Sequence, residues 1–204
     1  MALFCVILFI LVGMKPEAFG LYSRKGELTP ILPDFVAPSI LDVDFLQLKR
    51  LGIKHVLIDL DLTLRRVGAK EIEHEILSAF MQLKKDRVFR SISLMTNNYR
   101  AKRYADAMGL HAFTAYWENR RPIRKPNIKF FQRVLTSLRA KPAQSVMIGD
   151  KVHADIIGAN NAGLYTILVS PRGRDYWFDR LLLTRWRERR SLAQARDHLK
   201  RLKK

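Results

Sequence analysis

Residues 55–64 read HVLIDLDLTL, and this stretch decides the fold. Val56, Leu57 and Ile58 form an unbroken apolar run, the pattern of a strand buried on both faces of a parallel sheet. The run ends on a carboxylate, Asp59, and a second, Asp61, follows two residues later. In extended chain such residues point to the same side. Two carboxylates side by side repel unless a cation sits between them or one keeps its proton. A hard, oxygen-seeking cation such as Mg²⁺ resolves that conflict.

Working outward, the same alternation of elements repeats. Upstream, LDVDFLQLKRLG (41–52) carries Leu41, Phe45, Leu48 and Leu51 at helical spacing and stops at Gly52. Downstream, EIEHEILSAFMQLKK (71–85) sets Ile72, Ile76, Phe80 and Leu83 on one helical face, ahead of a strand, SISLMT (91–96). Helix YRAKRYADAMG (99–109), strand AFTAYW (112–117) and a basic stretch, RRPIRK (120–125), come next. Helix NIKFFQRVLTSLRA (127–140), strand SVMIGD (145–150), helix HADIIGANNAG (153–163) and strand YTILVS (165–170) complete the core. Strands alternating with helices predict an α/β fold with a doubly wound, parallel, five-stranded sheet. Ligands on such sheets bind beyond the carboxyl ends of the strands.

The chemistry-bearing residues fall at those ends. Asp150 closes SVMIGD, with Asp155 five residues on and Gly149 before it, where a bare backbone permits a close approach or a sharp turn. Thr96 and Asn97 close SLMTNN and offer a hydroxyl, an amide and backbone N–H groups to a phosphate oxygen. Thr96 could also be a plain helix cap, and Asp155 a charge at a helix start. Lys125 can balance charge on a transferring phosphoryl group, although Arg120, Arg121 and Arg124 stand beside it. A nucleophile, a neighbouring acid, a metal and oxygen clamps are the parts that phosphoryl transfer needs.

HVLIDLDLTL, SLMTNN, RKPN and VMIGDKVHAD resemble, in order, the four motifs of the haloacid dehalogenase (HAD) superfamily of phosphatases. The resemblance implies a HAD-like Rossmannoid fold with Asp59 as nucleophile and Asp61 as general acid/base. It implies Thr96, helped by Asn97, on the phosphoryl oxygens, and Lys125 between nucleophile and phosphate. It places Mg²⁺ on Asp59, Asp150 and the backbone carbonyl of Asp61, with Asp155 supporting from behind. Leu62 departs from the pattern, because many relatives carry a small or polar residue there, often Asn. That puts the packing of the loop in question.

The gaps from Thr63 to Thr96 and from Thr96 to Lys125 leave no room for the cap domain that many relatives insert. The run ILPDFVAPSILDVDFLQLKRLGIKHVLIDLDLTL (31–64) is similar to the opening of the capless subgroup, subclass IIIA. That subgroup includes YqeG-type bacterial proteins and the phosphatidylglycerophosphate phosphatases. The expectation is a phosphoric monoester hydrolase acting on a lipid head group and giving phosphatidylglycerol.

Charge and the chain ends bear on partners. The 204 residues hold 37 Lys+Arg against 19 Asp+Glu, a net charge of +18 that attracts anions without choosing among them. One cysteine, Cys5, excludes an internal disulfide and a Cys-based zinc site. The chain divides into an apolar segment and Pro-containing connector (1–40), a phosphatase domain (41–170) and a basic, aromatic-bearing amphipathic tail (171–204). The apolar run 1–14 would rise only about 21 Å as a helix, short of the ~30 Å hydrocarbon core. It reads as an interfacial anchor, a packed helix, or a stretch ahead of a true start at Met14. Lys15, Arg24 and Lys25 would keep the following domain in the cytoplasm, peripheral to or anchored on that face of an anionic membrane. The competing reading is nucleic-acid work, either end-phosphate hydrolysis or a basic binding module using Trp177 and Trp186.

Overall fold

The computed structural model describes residues 31–173 together with 188, 190 and 193. The apolar run 1–14 and most of the basic tail lie outside the described residues. Among the described residues, no helix is long and apolar enough to cross a membrane.

The chain runs β1 (Phe35–Ala37), α1 (Phe45–Arg50), β2 (His55–Ile58), α2 (His74–Lys85), β3 (Ser91–Thr96), α3 (Lys102–Ala107) and β4 (His111–Thr114). It continues through β5 (Tyr116–Glu118), β6 (Arg121–Ile123), α4 (Ile128–Ser137) and β7 (Ser145–Gly149). A wide helical turn (Val152–Ile157), α5 (Gly158–Asn161) and β8 (Tyr165–Val169) complete it. The main sheet is parallel throughout, in the order β1-β8-β7-β2-β3-β4.

The doubly wound sheet is as expected, but it has a sixth strand. Phe35–Ala37 joins β8 at the edge, although its flanking Pro33 and Pro38 mark it as broken connector. AFTAYW also divides. His111–Thr114 pairs with β3, while Tyr116–Glu118 leaves the sheet and pairs with β6 as an antiparallel hairpin. Much of the stretch read as basic loop is therefore a strand.

Alternation along β2 explains the two-sided core. Val56 and Ile58 face one layer, with Ile76 and Phe80 of α2 and Tyr104 and Ala105 of α3. Leu57 faces the other, with Phe130, Phe131 and Val134 of α4. All of these are essentially excluded from solvent. At about 1.5–3 kcal/mol per large apolar side chain, the two layers hold the sheet from both sides.

The connections set the position of the site. From β2 the chain moves one way to β3 and β4, then crosses over to β7 on β2's other side. That reversal opens a crevice at the carboxyl ends of β2 and β7. Their register is fixed by Ile58 opposite Ile148, and the Asp59 N–H donates to the Ile148 carbonyl at 2.9 Å. Asp59 therefore leaves the sheet with Thr96 beside it on one flank and Asp150 on the other.

Candidate active site

A cavity of about 570 Å³ lies over these strand ends, lined by Asp59, Asp61, Thr96, Asn98, Lys125 and Asp155 among others. Lys125 is its electrostatic centre. The side chain is buried, and Nζ donates to Asp59 Oδ1 at 2.7 Å and to Asp155 Oδ1 at 2.6 Å. Burial alone would favour the neutral amine. The charges of Asp155 and Asp59 outweigh it and hold the ammonium proton well above the usual lysine range. The neighbouring arginines are not rivals for this place, since Arg120, Arg121 and Arg124 are all exposed.

Asp155 is held by two donors. Oδ1 takes the Lys125 ammonium, and Oδ2 accepts the Lys151 N–H at 3.0 Å. Burial pushes its carboxyl up, to about 6, against the pull of Lys125 and with the help of Asp59. Gly149 makes room for it. A Cβ at Gly149 would stand 2.3 Å from the Asp155 carboxylate carbon, a separation real atoms do not adopt.

Carboxylate oxygens of Asp59, Asp150 and Asp155 lie within 4.8 Å of one another, and all three residues are buried. The Lys125 ammonium answers two of these carboxylates, Asp59 and Asp155. A buried set of hard oxygen donors fits a hard divalent cation. Thr63, also buried, donates its hydroxyl to Asp150 Oδ1 at 3.3 Å and steadies that carboxylate.

Asp61 is turned elsewhere. Its carboxylate pairs with the Arg65 guanidinium and accepts from Asn98 Nδ2 at 2.9 Å. Arg65 is itself fixed, donating to the Ala69 carbonyl at 2.7 Å and stacking 4.6 Å over the Tyr104 ring. The Asp61 side chain thus stands outside the three-carboxylate cluster, so only its backbone carbonyl remains as the metal contact expected of it. Asp155, expected behind the site, belongs to the cluster and directly contacts Lys125.

Thr96 and Asn97 form the other flank. Thr96 Oγ accepts the Asn98 N–H at 3.2 Å, which shapes the turn and leaves the hydroxyl hydrogen to donate into the cavity. The Asn97 amide is engaged with protein backbone. Its Nδ2 donates to the Lys125 carbonyl and its Oδ1 accepts the Lys125 N–H, so its side chain grips the backbone of the lysine.

Leu62 explains its own departure from the pattern. It sits at φ 67°, the left-handed region that Asn tolerates and Leu resists at about 1–2 kcal/mol. Its side chain is fully buried, its N–H donates to the Arg65 carbonyl at 2.8 Å, and its carbonyl accepts the Arg172 N–H at 2.7 Å. Apolar burial offsets the backbone cost.

Residues 122–173 match the HAD-hydrolase-like family model. The chain is 28% identical over 140 residues to the probable phosphatase YqeG of Bacillus subtilis, covering 69% of this chain and 77% of that protein. It is 50% identical over 46 residues to a glyceraldehyde 3-phosphate phosphatase of Methanothermobacter thermautotrophicus, a match spanning only 20% of that enzyme. A solved structure of an uncharacterized protein from Listeria monocytogenes superposes with a TM-score of 0.48 at 20% identity, covering 61% of this chain and 84% of that one. The motif residues are gathered at one sheet edge, the chain is similar in sequence to HAD-like hydrolases of the phosphatase type, and no cap domain stands among the described residues.

Proposed function

We propose that the protein hydrolyses a phosphate monoester through an aspartyl-phosphate on Asp59. The observation that carries this is the buried Lys125 ammonium, 2.7 Å from Asp59 and 2.6 Å from Asp155, two carboxylates that cluster with Asp150. A carboxylate so paired stays ionised and is aimed by the ion pair. Asp59 attacks phosphorus, and the bond from phosphorus to the leaving oxygen breaks. Asp61, held by Arg65 and Asn98, takes up a proton with the monoanionic ester and gives it to that oxygen. Water then attacks the acyl phosphate, Asp61 takes the proton back, and inorganic phosphate leaves with Asp59 restored. Thr96 and the Lys125 ammonium hold the phosphoryl oxygens.

Asp59, Asp150 and the Asp61 carbonyl would hold Mg²⁺, with Asp155 fixing the surrounding charge. When bound, that ion neutralises charge on the transferring group. For the substrate we favour phosphatidylglycerophosphate, the reading given by the likeness to the capless subgroup. The surroundings support it. Arg100, Arg103 and Lys151 line the cavity around the acidic centre, and among the described residues no cap domain closes over it. An open cleft admits a bulky, anionic substrate that a lidded one would not.

The test is phosphate release from phosphatidylglycerophosphate, a 5′-phosphorylated oligonucleotide and p-nitrophenyl phosphate, each with and without Mg²⁺. The expected result is Mg²⁺-dependent turnover, fastest on the lipid, abolished by Asp59→Asn with the fold intact. Faster turnover of the oligonucleotide would move the assignment to nucleic-acid ends, and near-normal turnover by Asp59→Asn would overturn the aspartyl-phosphate itself.

A further inference from the structure

The hairpin of β5 and β6 is the one element of the catalytic edge that the chemistry above does not use. It starts two residues after β4 and ends two residues before Lys125, so both its ends are tied to the mouth of the cavity. One face is pinned down. Tyr116 packs edge-on against Phe130 at 6.2 Å, Arg133 lies 4.0 Å over the Tyr116 ring, and Glu118 is paired with Lys129 at 2.8 Å. The other face has no such support among the described residues. Trp117 is 73% exposed, and its cross-strand partner Pro122 is exposed as well. Arg124 follows two residues after Pro122 and so shares its side of the strand, also exposed.

The tip adds charge. Asn119 and Arg120 both take left-handed backbone, φ 48° and 61°, the conformation of a tight two-residue hairpin turn, which sets Arg120 beside the exposed Arg121. The pattern extends around the mouth. Tyr99, which lines the cavity, is 73% exposed beneath the Arg100 guanidinium, and Ile128, three residues after Lys125, is 41% exposed. Of the large apolar side chains exposed among the described residues, three of five thus sit at this edge. Between Asn97 and Lys129 the chain carries eight Lys and Arg against only Asp106 and Glu118.

We infer that this hairpin is an interfacial wedge that seats the catalytic mouth on an anionic bilayer, with Trp117 and Pro122 entering the headgroup layer and Arg120, Arg121 and Arg124 on its phosphates. The inference rests on the phosphoester cleft proposed above. Its chemistry is that of membrane interfaces, where a Trp buries an apolar ring while basic side chains meet lipid phosphates. A nucleic acid is served by a basic groove that tracks the backbone. Here the aromatic stands on a two-stranded projection, with no third strand beside it among the described residues. The wedge would bring headgroups to a cleft that opens at the same strand ends, so that a lipid phosphate need not leave the membrane to reach Asp59.

The experiment uses the full chain with Trp177→Phe and Trp186→Phe, which leaves Trp117 as the only fluorophore of its type among the three tryptophans. Vesicles of phosphatidylcholine, with and without phosphatidylglycerol, carry brominated acyl chains as quenchers. The expected result is a blue shift and quenching of Trp117 by the phosphatidylglycerol vesicles. In addition, Trp117→Ser should weaken co-sedimentation with them about tenfold. Turnover of p-nitrophenyl phosphate should stay within about twofold, since Trp117 touches none of the catalytic groups. Absence of quenching by the anionic vesicles overturns the wedge, as does quenching by an oligonucleotide and not by vesicles. Hydrolysis of phosphatidylglycerophosphate in detergent micelles by a protein whose Trp117 is never quenched also defeats the wedge while leaving the substrate reading standing. Quenching without hydrolysis of that lipid supports the wedge and defeats the substrate reading.

Discussion

Asn97 holds the backbone of Lys125 from both sides, donating to its carbonyl at 3.1 Å and accepting its N–H at 2.9 Å. The two residues are 28 apart in sequence, and this reciprocal clamp ties the end of β3 to the segment that delivers the central cation. A lysine side chain is long and rotamer-rich, so the place of its backbone decides whether Nζ reaches two carboxylates at once.

Asn97→Ala removes both bonds and leaves a part-buried N–H and C=O without these partners. We expect a loss of about 1–3 kcal/mol in denaturant unfolding. We also expect a fall in kcat of about a hundredfold, the usual effect of a misplaced catalytic group. KM should change far less. An unchanged kcat would show that Lys125 is positioned by its ion pairs alone.

Lys125→Met strips the cation from between Asp59 and Asp155. Removing one partner of a buried ion pair costs about 3–5 kcal/mol, and kcat should fall at least a hundredfold. Lys125→Arg should not restore it, because the planar guanidinium cannot place one compact charge 2.7 and 2.6 Å from two separate oxygens. Rescue by arginine, measured as kcat, would disprove the need for a point charge.

Gly149→Ala asks for space that the Asp155 carboxylate fills. The strand cannot give way in the middle of the sheet, so Asp155 must swing out. The expectation is a loss of about 1–3 kcal/mol in unfolding together with most of the activity. Wild-type stability in this variant would mean that Asp155 has another resting place.

Metal binding can be read without turnover. Saturating Mg²⁺ should raise the melting temperature of the wild type by about 5 °C, as any ligand of the native state does. Asp150→Asn should lose most of that shift, since it removes one of the three clustered carboxylates. An equal shift in the variant would take Asp150 out of the site.

His55 gives a pH dependence unrelated to catalysis. It is buried at the start of β2, its Nδ1 lies 2.8 Å from Ser91 Oγ, and burial with the charges of Arg90 and Lys54 lowers its pKa. The unfolded chain then binds the proton more readily than the folded one. The contribution of His55 is therefore complete above the ordinary value of about 6.5 and is lost as pH falls from there through the depressed folded value. His55→Gln should flatten the loss of melting temperature between pH 7.5 and 5.5. Parallel wild-type and variant curves would exclude His55 as the source.

Asp59, Thr96 and Asp150 were legible because each is a polar residue ending an apolar run, a pattern that local physics alone explains. Lys125 could be separated from its arginine neighbours only by burial. The alternation of β6 turns Pro122 and Arg124 outward, leaving Ile123 and Lys125 inside. Arg65 and Asn98, which fix Asp61, gave no signal, and neither did the grip of Asn97 on the Lys125 backbone. Their roles arise from contacts between loops that follow different strands, and no spacing along one segment encodes them. The three-residue β1 was hidden between prolines. The hairpin was hidden because Pro122 reads against a strand, and it is tolerated only because β6 pairs on one side.

The placement of β7 also governs how the chain must be made. β2 and β7 pair in register across 90 residues, His55 with Ser145, so this edge of β2 is covered only by a segment synthesised much later. Until then β2 offers four fully buried-type residues and a row of unpaired backbone groups to any neighbouring chain. A fragment ending before Ser145 keeps β2, β3 and β4 and both acids of the first motif, yet it should aggregate. Solubility during synthesis, like the crevice itself, depends on the last third of the chain arriving in time to cover that strand.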